Sequence, residues 1–130
     1  MVVANRVAGA SHFFTGNFAE AQRYMDVALA NYDPIAHAGL ANRFAQDIGA
    51  AIHIFQAFNS LMLGQTRRAA THRDKAESLA MATDHIQTIC YALGMRIIFS
   101  RLSGDRSDFE RCVNKAAPLA QEHNLAVFLA

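Results

Sequence analysis

The sequence predicts an all-α fold made of stacked helix pairs. Apolar residues recur at helical spacing along almost the whole chain, and no long stretch alternates in the manner of a strand. Only two prolines occur among 130 residues. Three glycines, Gly16, Gly64 and Gly104, lie at comparable places, each between an apolar stretch and a charged amphipathic one.

The composition bounds the class of protein. Residues 1–130 suffice for a single domain, which we expect to be part of a larger chain, and 52% hydrophobic residues exclude a disordered chain. The net charge of +1 gives no electrostatic footprint for nucleic acid or membrane. Two cysteines, no signal peptide and no run of about 18 apolar residues predict a cytoplasmic protein.

Signals at the helix starts place six helices. Asn17 with Glu20, and Ser107 with Glu110, have the form of a capping box, and Asp84 is predicted to cap the helix that follows it. The predicted helices lie near residues 2–15, 18–32, 48–63, 66–82, 86–102 and 107–123, followed by a terminal stub from about 125.

Two prolines interrupt this pattern. Asp33 precedes Pro34 and is therefore pushed out of the helical region, which ends the second helix. Residues 34–47 then form a longer connection, with a short helical turn near 38–44. Pro118 lies inside the last helix, where its missing N–H predicts a kink or a split.

The glycines define a repeat. Successive glycines stand 48 and 40 residues apart, and without the extra residues of the long connection the first spacing is about 34, the period of tetratricopeptide repeats. Small residues recur in register, which lets paired helices approach closely. They are Gly9 and Ala57 seven residues before a glycine, Ala21 and Ala69 five after, and Ala28, Ala76 and Ala116 twelve after. We therefore predict a right-handed α-α superhelix of about three tetratricopeptide-like pairs plus the stub, with a closed helical bundle as the alternative.

Polar residues form a stripe on the third long helix. His53, Gln56 and Ser60 share one face, apart from the apolar face of Ile54 and Phe58. If this helix followed the register of the repeat strictly, these polar residues would occupy positions that core side chains usually fill. We therefore predict that this helix is rotated, so that the stripe faces solvent or a groove.

A set of residues spread over nearly the whole chain carries a more specific resemblance. They are Gly16, Phe18, Ala21, Ala28-Leu29, Tyr32-Asp33-Pro34, His37, Phe44 to Asp47, Gly49, Leu63-Gly64, Ala69, Ala76, Leu79-Ala80 and His85. With these residues the chain resembles the tetratricopeptide-like C-terminal region of bacterial multidomain signalling regulators. These regulators carry a class III adenylate/guanylate cyclase domain, an AAA-type ATPase domain, or both. The resemblance implies a parent protein that makes a cyclic nucleotide or hydrolyses ATP.

No motif for catalysis, cofactor or metal binding is present in the sequence. The six histidines form no His-Glu-x-x-His, the cysteines form no CxxC, and no phosphate-binding loop with Lys-Ser/Thr occurs. His37 and Asp47 are the sharpest polar pair. They suit either a general base oriented by a carboxylate or, as we prefer, a pinned connection in which Asp47 caps the helix starting at Ile48.

Candidate binding residues lie on the first helix of each pair, which lines the concave face in such repeats. Aromatic anchors beside polar donors suit an extended peptide or a partner helix, whereas Phe13, Phe14 and Tyr91 alternatively are plain core. The candidates are Arg6, Phe13, Phe14, His53, Gln56, Asn59, Ser60, Tyr91 and Arg101.

Three functions remain open from the sequence. The first is a non-catalytic protein-interaction and regulatory module that binds another protein or another domain of its own chain. The second is a small-molecule sensor with a ligand in the concave groove near His53 and Gln56, and the third is an enzyme built on His37 and Asp47. The apolar, uncapped run Leu125 to Ala130 further predicts a homodimer through the stub.

Overall fold

The computed structural model describes residues 1–126, which form seven helices and no strand. The all-α prediction is confirmed, and each predicted helix is present within two residues of its expected ends. The helices are α1 (Val2–Phe14), α2 (Phe18–Ala30), α3 (Leu40–Phe44), α4 (Ile48–Met62), α5 (Thr66–Ala82), α6 (Ile86–Ser103) and α7 (Arg106–Glu122). None of these helices is long and apolar enough to cross a membrane.

The helices pack as neighbouring pairs. α1 packs against α2, α4 against α5, and α6 against α7, while α2 and α5 each also contact the first helix of the next pair. α4 contacts α1 and α6 as well, so it is the central helix.

The three glycines end the first helix of each pair in the same way. Gly16, Gly64 and Gly104 all have a left-handed φ, between +73° and +79°. The residue after each glycine donates its N–H to the carbonyl five residues before it, at 2.8–2.9 Å. This is the Schellman motif, which requires the left-handed conformation that glycine adopts without strain. The glycine register therefore marks three equivalent turns.

Small residues of the repeat are buried where the paired helices cross. Gly9, Ala21 and Ala28 are buried in the first pair, as are their counterparts in the second. A Cβ on Gly9 would lie 2.9 Å from the Met25 side chain, so the close approach depends on this small residue. In the third pair the corresponding positions hold larger residues, Ile97 and Phe109, which are half-buried.

The expected split at Pro118 does not occur, because α7 runs through it to Glu122. Pro118 is exposed, and so is Asn114, whose carbonyl would accept the missing hydrogen bond. The solvent exposure of both residues lowers the cost of the lost hydrogen bond. The predicted stub and its dimer contact, residues 125–130, fall mostly on residues 127–130, which lie outside the described residues.

Candidate functional site

The predicted polar stripe of α4 is largely buried, not exposed. Gln56, Asn59 and Ser60 have no solvent exposure, so their assignment to a solvent-facing stripe or groove is wrong. The physical reason is the central position of α4, because helices on every side of it leave no free face for these side chains. Only His53 of the stripe stays half-exposed.

These buried groups form what we call the amide seam, made of Gln56, Asn59 and Ser60 with Gln22 of α2. The Gln56 amide nitrogen donates to the Gln22 carbonyl at 3.2 Å and to the Asp26 carboxylate. The Gln22 amide donates to the Ser60 hydroxyl at 3.2 Å. Within residues 1–126, neither amide atom of Asn59 has a hydrogen-bond partner, and the Gln56 amide oxygen also has none. The seam is therefore only partly satisfied.

His53 pairs with another histidine at the edge of the seam. Its Nδ1 lies 2.8 Å from Nδ1 of His72 on α5, so one ring donates its proton to the other. Burial, the nearby His72 and Lys75 lower the pKa of His53 to about 4. Arg68 reaches His72 Nε2 at 3.5 Å and the Asp26 carboxylate at 2.7 Å. The pair is thus a neutral bridge between α4 and α5 at pH 7.

Phe13 is half-buried core and Phe14 is surface, although they are adjacent. Phe13 packs edge-on against Phe55 and Phe58, with ring centroids 5.4 and 6.2 Å apart. Phe14 also packs edge-on against Phe55, with ring centroids 6.0 Å apart, but its side chain remains 77% exposed. Arg6 places its guanidinium 5.9 Å from the centre of the same Phe55 ring. Phe55, which the sequence analysis did not single out, therefore joins Arg6 and Phe14.

The remaining groove candidates lie on α6. Tyr91 is half-buried against the core of α4, α5 and α6, and burial raises the pKa of its hydroxyl. Arg101 is exposed near the end of the helix. The first helices of the pairs also leave large apolar side chains exposed, namely Val7, Phe14, Met62, Ile98 and Leu102.

His37 and Asp47 form no direct hydrogen bond, so the predicted pair is wrong as a pair. Tyr32 lies between them. Its ring stacks on the His37 ring, with centroids 5.7 Å apart, and its hydroxyl lies 3.4 Å from the Asp47 carboxylate. His37 Nδ1 is engaged by the backbone of Asp33 at 2.8–2.9 Å. Asp47 does cap α4, accepting the Ala50 N–H at 2.8 Å, as predicted.

A cleft of about 490 Å³ opens beside Tyr32 and Asp47. It lies between the connection that follows α2, the end of α5 and the turn into α6. Its wall combines small apolar side chains with a few polar groups, as in typical ligand sites. The lining residues are Tyr32, Pro34, Ala38, Ala41, Asn42, Asp47, Leu79, Ala82, Thr83, Asp84 and His85.

Thr88 joins the caps of α4 and α6 at this cleft. Its hydroxyl oxygen accepts the Asp47 N–H at 2.9 Å and lies 2.7 Å from Nδ1 of His85. Because the Thr88 N–H also donates to that Nδ1, the nitrogen acts as an acceptor. His85 is thereby the N-cap of α6, whereas the predicted cap, Asp84, has a left-handed φ of 52° instead.

Sequence reasoning missed a group of ionised side chains, which we call the charge network. Arg96 of α6 contacts Glu77 at 2.9 Å and Asp108 at 2.8 Å, and Arg111 contacts both acids. Hydrogen bonds from Arg111 hold the pKa of Glu77 at about 2 against the effect of burial. Burial opposes ionisation of Asp108 too, yet hydrogen bonds from Arg96, Ser100 and Arg111 hold its pKa well below its usual range. The available signal was Arg96 itself, a single charge within an apolar run.

In the part of the chain that the structure describes, no three His, Cys, Asp or Glu side chains converge as metal ligands. Cys90 and Cys112 are buried free thiols, and burial raises the pKa of each. No protein-family model matches the chain, and no significant match occurs among the curated proteins or the solved structures.

Proposed function

We propose that this chain is a non-catalytic protein-interaction and regulatory module of a bacterial signalling regulator, one that carries a nucleotide cyclase or ATPase domain. The module is a right-handed superhelix of three tetratricopeptide-like pairs. It binds another protein or another domain of its own chain in the cytoplasm, and neither nucleic acid nor a membrane.

Equivalent turns and neighbour packing support the superhelix. Each pair has the same glycine turn, and each pair contacts the next through α2 with α4, α4 with α6 and α5 with α6. A stack of this kind is quasi-one-dimensional, because each pair depends mainly on its neighbours. A closed bundle would instead need contacts between the first pair and the last.

The superhelix predicts how the chain tolerates shortening. Residues 1–85, which lack α6 and α7, are expected to keep a cooperative helical unfolding transition at lower stability. Circular dichroism during urea unfolding measures this. A fragment with no cooperative transition would favour the closed bundle.

The exposed apolar side chains of the first helices carry the interaction proposal. Phe14 is the most exposed of them, at 77%, and the Arg6 guanidinium lies nearby over the Phe55 ring. Aromatic and arginine side chains dominate the binding energy of many interfaces. A partner that contacts these side chains more tightly in one state of the regulator shifts the equilibrium towards that state. The shift in activity is limited by the difference between its affinities for the two states.

The test uses the whole parent protein, for which we expect a cyclase or ATPase domain in the same reading frame. Phe14→Ser is expected to weaken the contact between module and partner domain about tenfold and to change the catalytic rate. Ile35→Ser is the matched control, because Ile35 is 91% exposed but lies outside the first helices. Equal effects of the two variants, or a reading frame without such a domain, would contradict the proposal.

A further inference from the structure

We propose that the cleft beside Tyr32 and Asp47 binds a small organic cation, an alkylammonium or alkylguanidinium group with a short aliphatic stem. This site goes beyond the interaction surface of the first helices and does not depend on it. Its volume of about 490 Å³ falls within the usual range for small-molecule sites.

Asp47 supplies the anionic centre. It is 7% exposed and lines the cleft, and one of its carboxylate oxygens is committed to the Ala50 N–H. The other oxygen has only the Tyr32 hydroxyl, at a long 3.4 Å. Within residues 1–126, no Lys, Arg or His nitrogen pairs with this carboxylate. A buried charge without a counter-ion is costly, and a bound cation would offset that cost.

The charges around the cleft have one dominant sign. Asp84 adds a second carboxylate, and no lysine or arginine lies in the lining as far as residues 1–126 form it. The pKa of Tyr32 is raised to about 12 by burial and then by the negative charges of Asp47 and Asp33. α4 and α6 begin at the cleft while α5 ends there, so the helix ends together leave a partial positive charge of about half an elementary charge, smaller than the charge of the two carboxylates. The net charge of the lining is therefore negative, which favours a cationic ligand.

The rest of the wall specifies an aliphatic stem. Pro34, Ala38, Ala41, Leu79 and Ala82 present small apolar side chains around the acidic groups. A hydrated metal ion gains nothing from such a wall, whereas an alkyl chain buries its surface there. The cleft thus suits a cationic head on a short aliphatic stem.

Titration of the purified chain with n-propylguanidinium at low salt tests the site, followed by the backbone amide NMR signals. We expect saturable shifts at residues 32, 47 and 83–85, with a dissociation constant of about 1 mM, a reasonable value for so small a ligand. n-Butanol and n-butyrate are expected to produce no saturable shifts at these residues. Absence of saturation with n-propylguanidinium, or equal binding of n-butyrate, would overturn the proposal.

Charge-neutralising variants locate the anionic centre. Asp47→Asn keeps a competent helix cap and is expected to weaken n-propylguanidinium binding about tenfold. Asp84→Asn, at a left-handed position that asparagine tolerates, is expected to weaken it about threefold. Glu122→Gln makes the same charge change at the exposed end of α7 and is expected to leave binding unchanged. If both aspartate variants bind like the Glu122 variant, the proposal fails.

A second titration identifies the source of the cation. A capped Ala-Ala-Lys-Ala-Ala peptide is compared with n-propylammonium. Tenfold tighter binding of the peptide would assign the cleft to a basic side chain of a protein, whereas equal or weaker binding would assign it to a free small amine. These readouts use the isolated chain, so they fail independently of the interaction test in the parent protein.

Discussion

The amide seam and the charge network both bury polar groups between helices, but they satisfy them differently. In the seam, both amide atoms of Asn59 lack partners within residues 1–126 although the side chain is fully buried. In the charge network, each of Glu77, Arg96 and Asp108 has two or more partners of opposite charge. The first joins α4 to α2, and the second joins α5, α6 and α7.

The difference shows how a buried polar group contributes to stability. Unsatisfied amides carry the full cost of desolvation, whereas a complete ionic network offsets that cost through several short bonds. The same logic predicts opposite outcomes for apolar replacement in the two regions. Asn59 is expected to be dispensable for stability, while Arg96 is expected to be indispensable.

Arg96→Met is expected to have the largest effect. It leaves Glu77 and Asp108 nearly buried, with Arg111 and Lys115 as their remaining cationic partners. Breaking a buried ion pair from one side typically costs several kcal/mol, so we expect a loss of about 3 kcal/mol in the free energy of unfolding. Urea unfolding followed by circular dichroism measures it.

Arg106→Met is the control for that variant. Arg106 also pairs with an acid, Glu110 at 2.8 Å, but its side chain is 89% exposed. Exposed pairs of this spacing contribute only about 0.3–0.5 kcal/mol. A loss of the same size in both variants would mean that burial does not set the strength of the charge network.

Local signals made the helices predictable. The glycine turns, the Asp47 cap and the break before Pro34 each depend on neighbours in sequence, and all appear where expected. Other signals at the helix starts were wrong in detail. His85 and not Asp84 caps α6, and Asp105 and not Ser107 caps α7. The Asn17 side chain makes no capping hydrogen bond. Capping rules identify the turn more securely than the residue that closes it.

Tertiary placement was not predictable in the same way. The polar stripe of α4 is interior because neighbouring helices cover the face that carries Gln56, Asn59 and Ser60, and that placement depends on helix packing and not on the stripe's own sequence. His37 and Asp47 were both found, but the Tyr32 ring separates them. The charge network was not predicted because its members come from three helices and share no local spacing in the sequence.

The His53–His72 pair at the edge of the amide seam and the charge network are expected to lose their contributions to stability at different pH values. The pKa of His53 falls from 6.5 to about 4 on folding, so the unfolded chain binds the extra proton between those values. Stability is therefore lost as pH falls from 6.5 towards 4. For Glu77 the pKa falls from 4.5 to about 2, so its contribution is lost only below pH 4.5.

His53→Gln isolates the histidine contribution. Between pH 6.5 and 4 we expect the wild-type chain to lose about 2 kcal/mol more unfolding free energy than the variant, after allowance for solvent screening of this half-buried group. Below pH 4.5 both chains are expected to lose the Glu77 contribution alike. Parallel curves for the two chains down to pH 4 would contradict a neutral His53–His72 bridge.

The smallest effect is expected within the amide seam itself. Asn59→Leu removes two buried, unpartnered amide atoms in exchange for an apolar side chain of similar size, and it is expected to raise the free energy of unfolding by about 1 kcal/mol. Gln56→Leu is the matched comparison, because it removes the bonds to Asp26 and to the Gln22 carbonyl. That carbonyl loses a donor, so Gln56→Leu is expected to cost about 1 kcal/mol. Destabilisation by both changes would mean that Asn59 is satisfied as fully as Gln56, and the contrast between the seam and the charge network would then disappear.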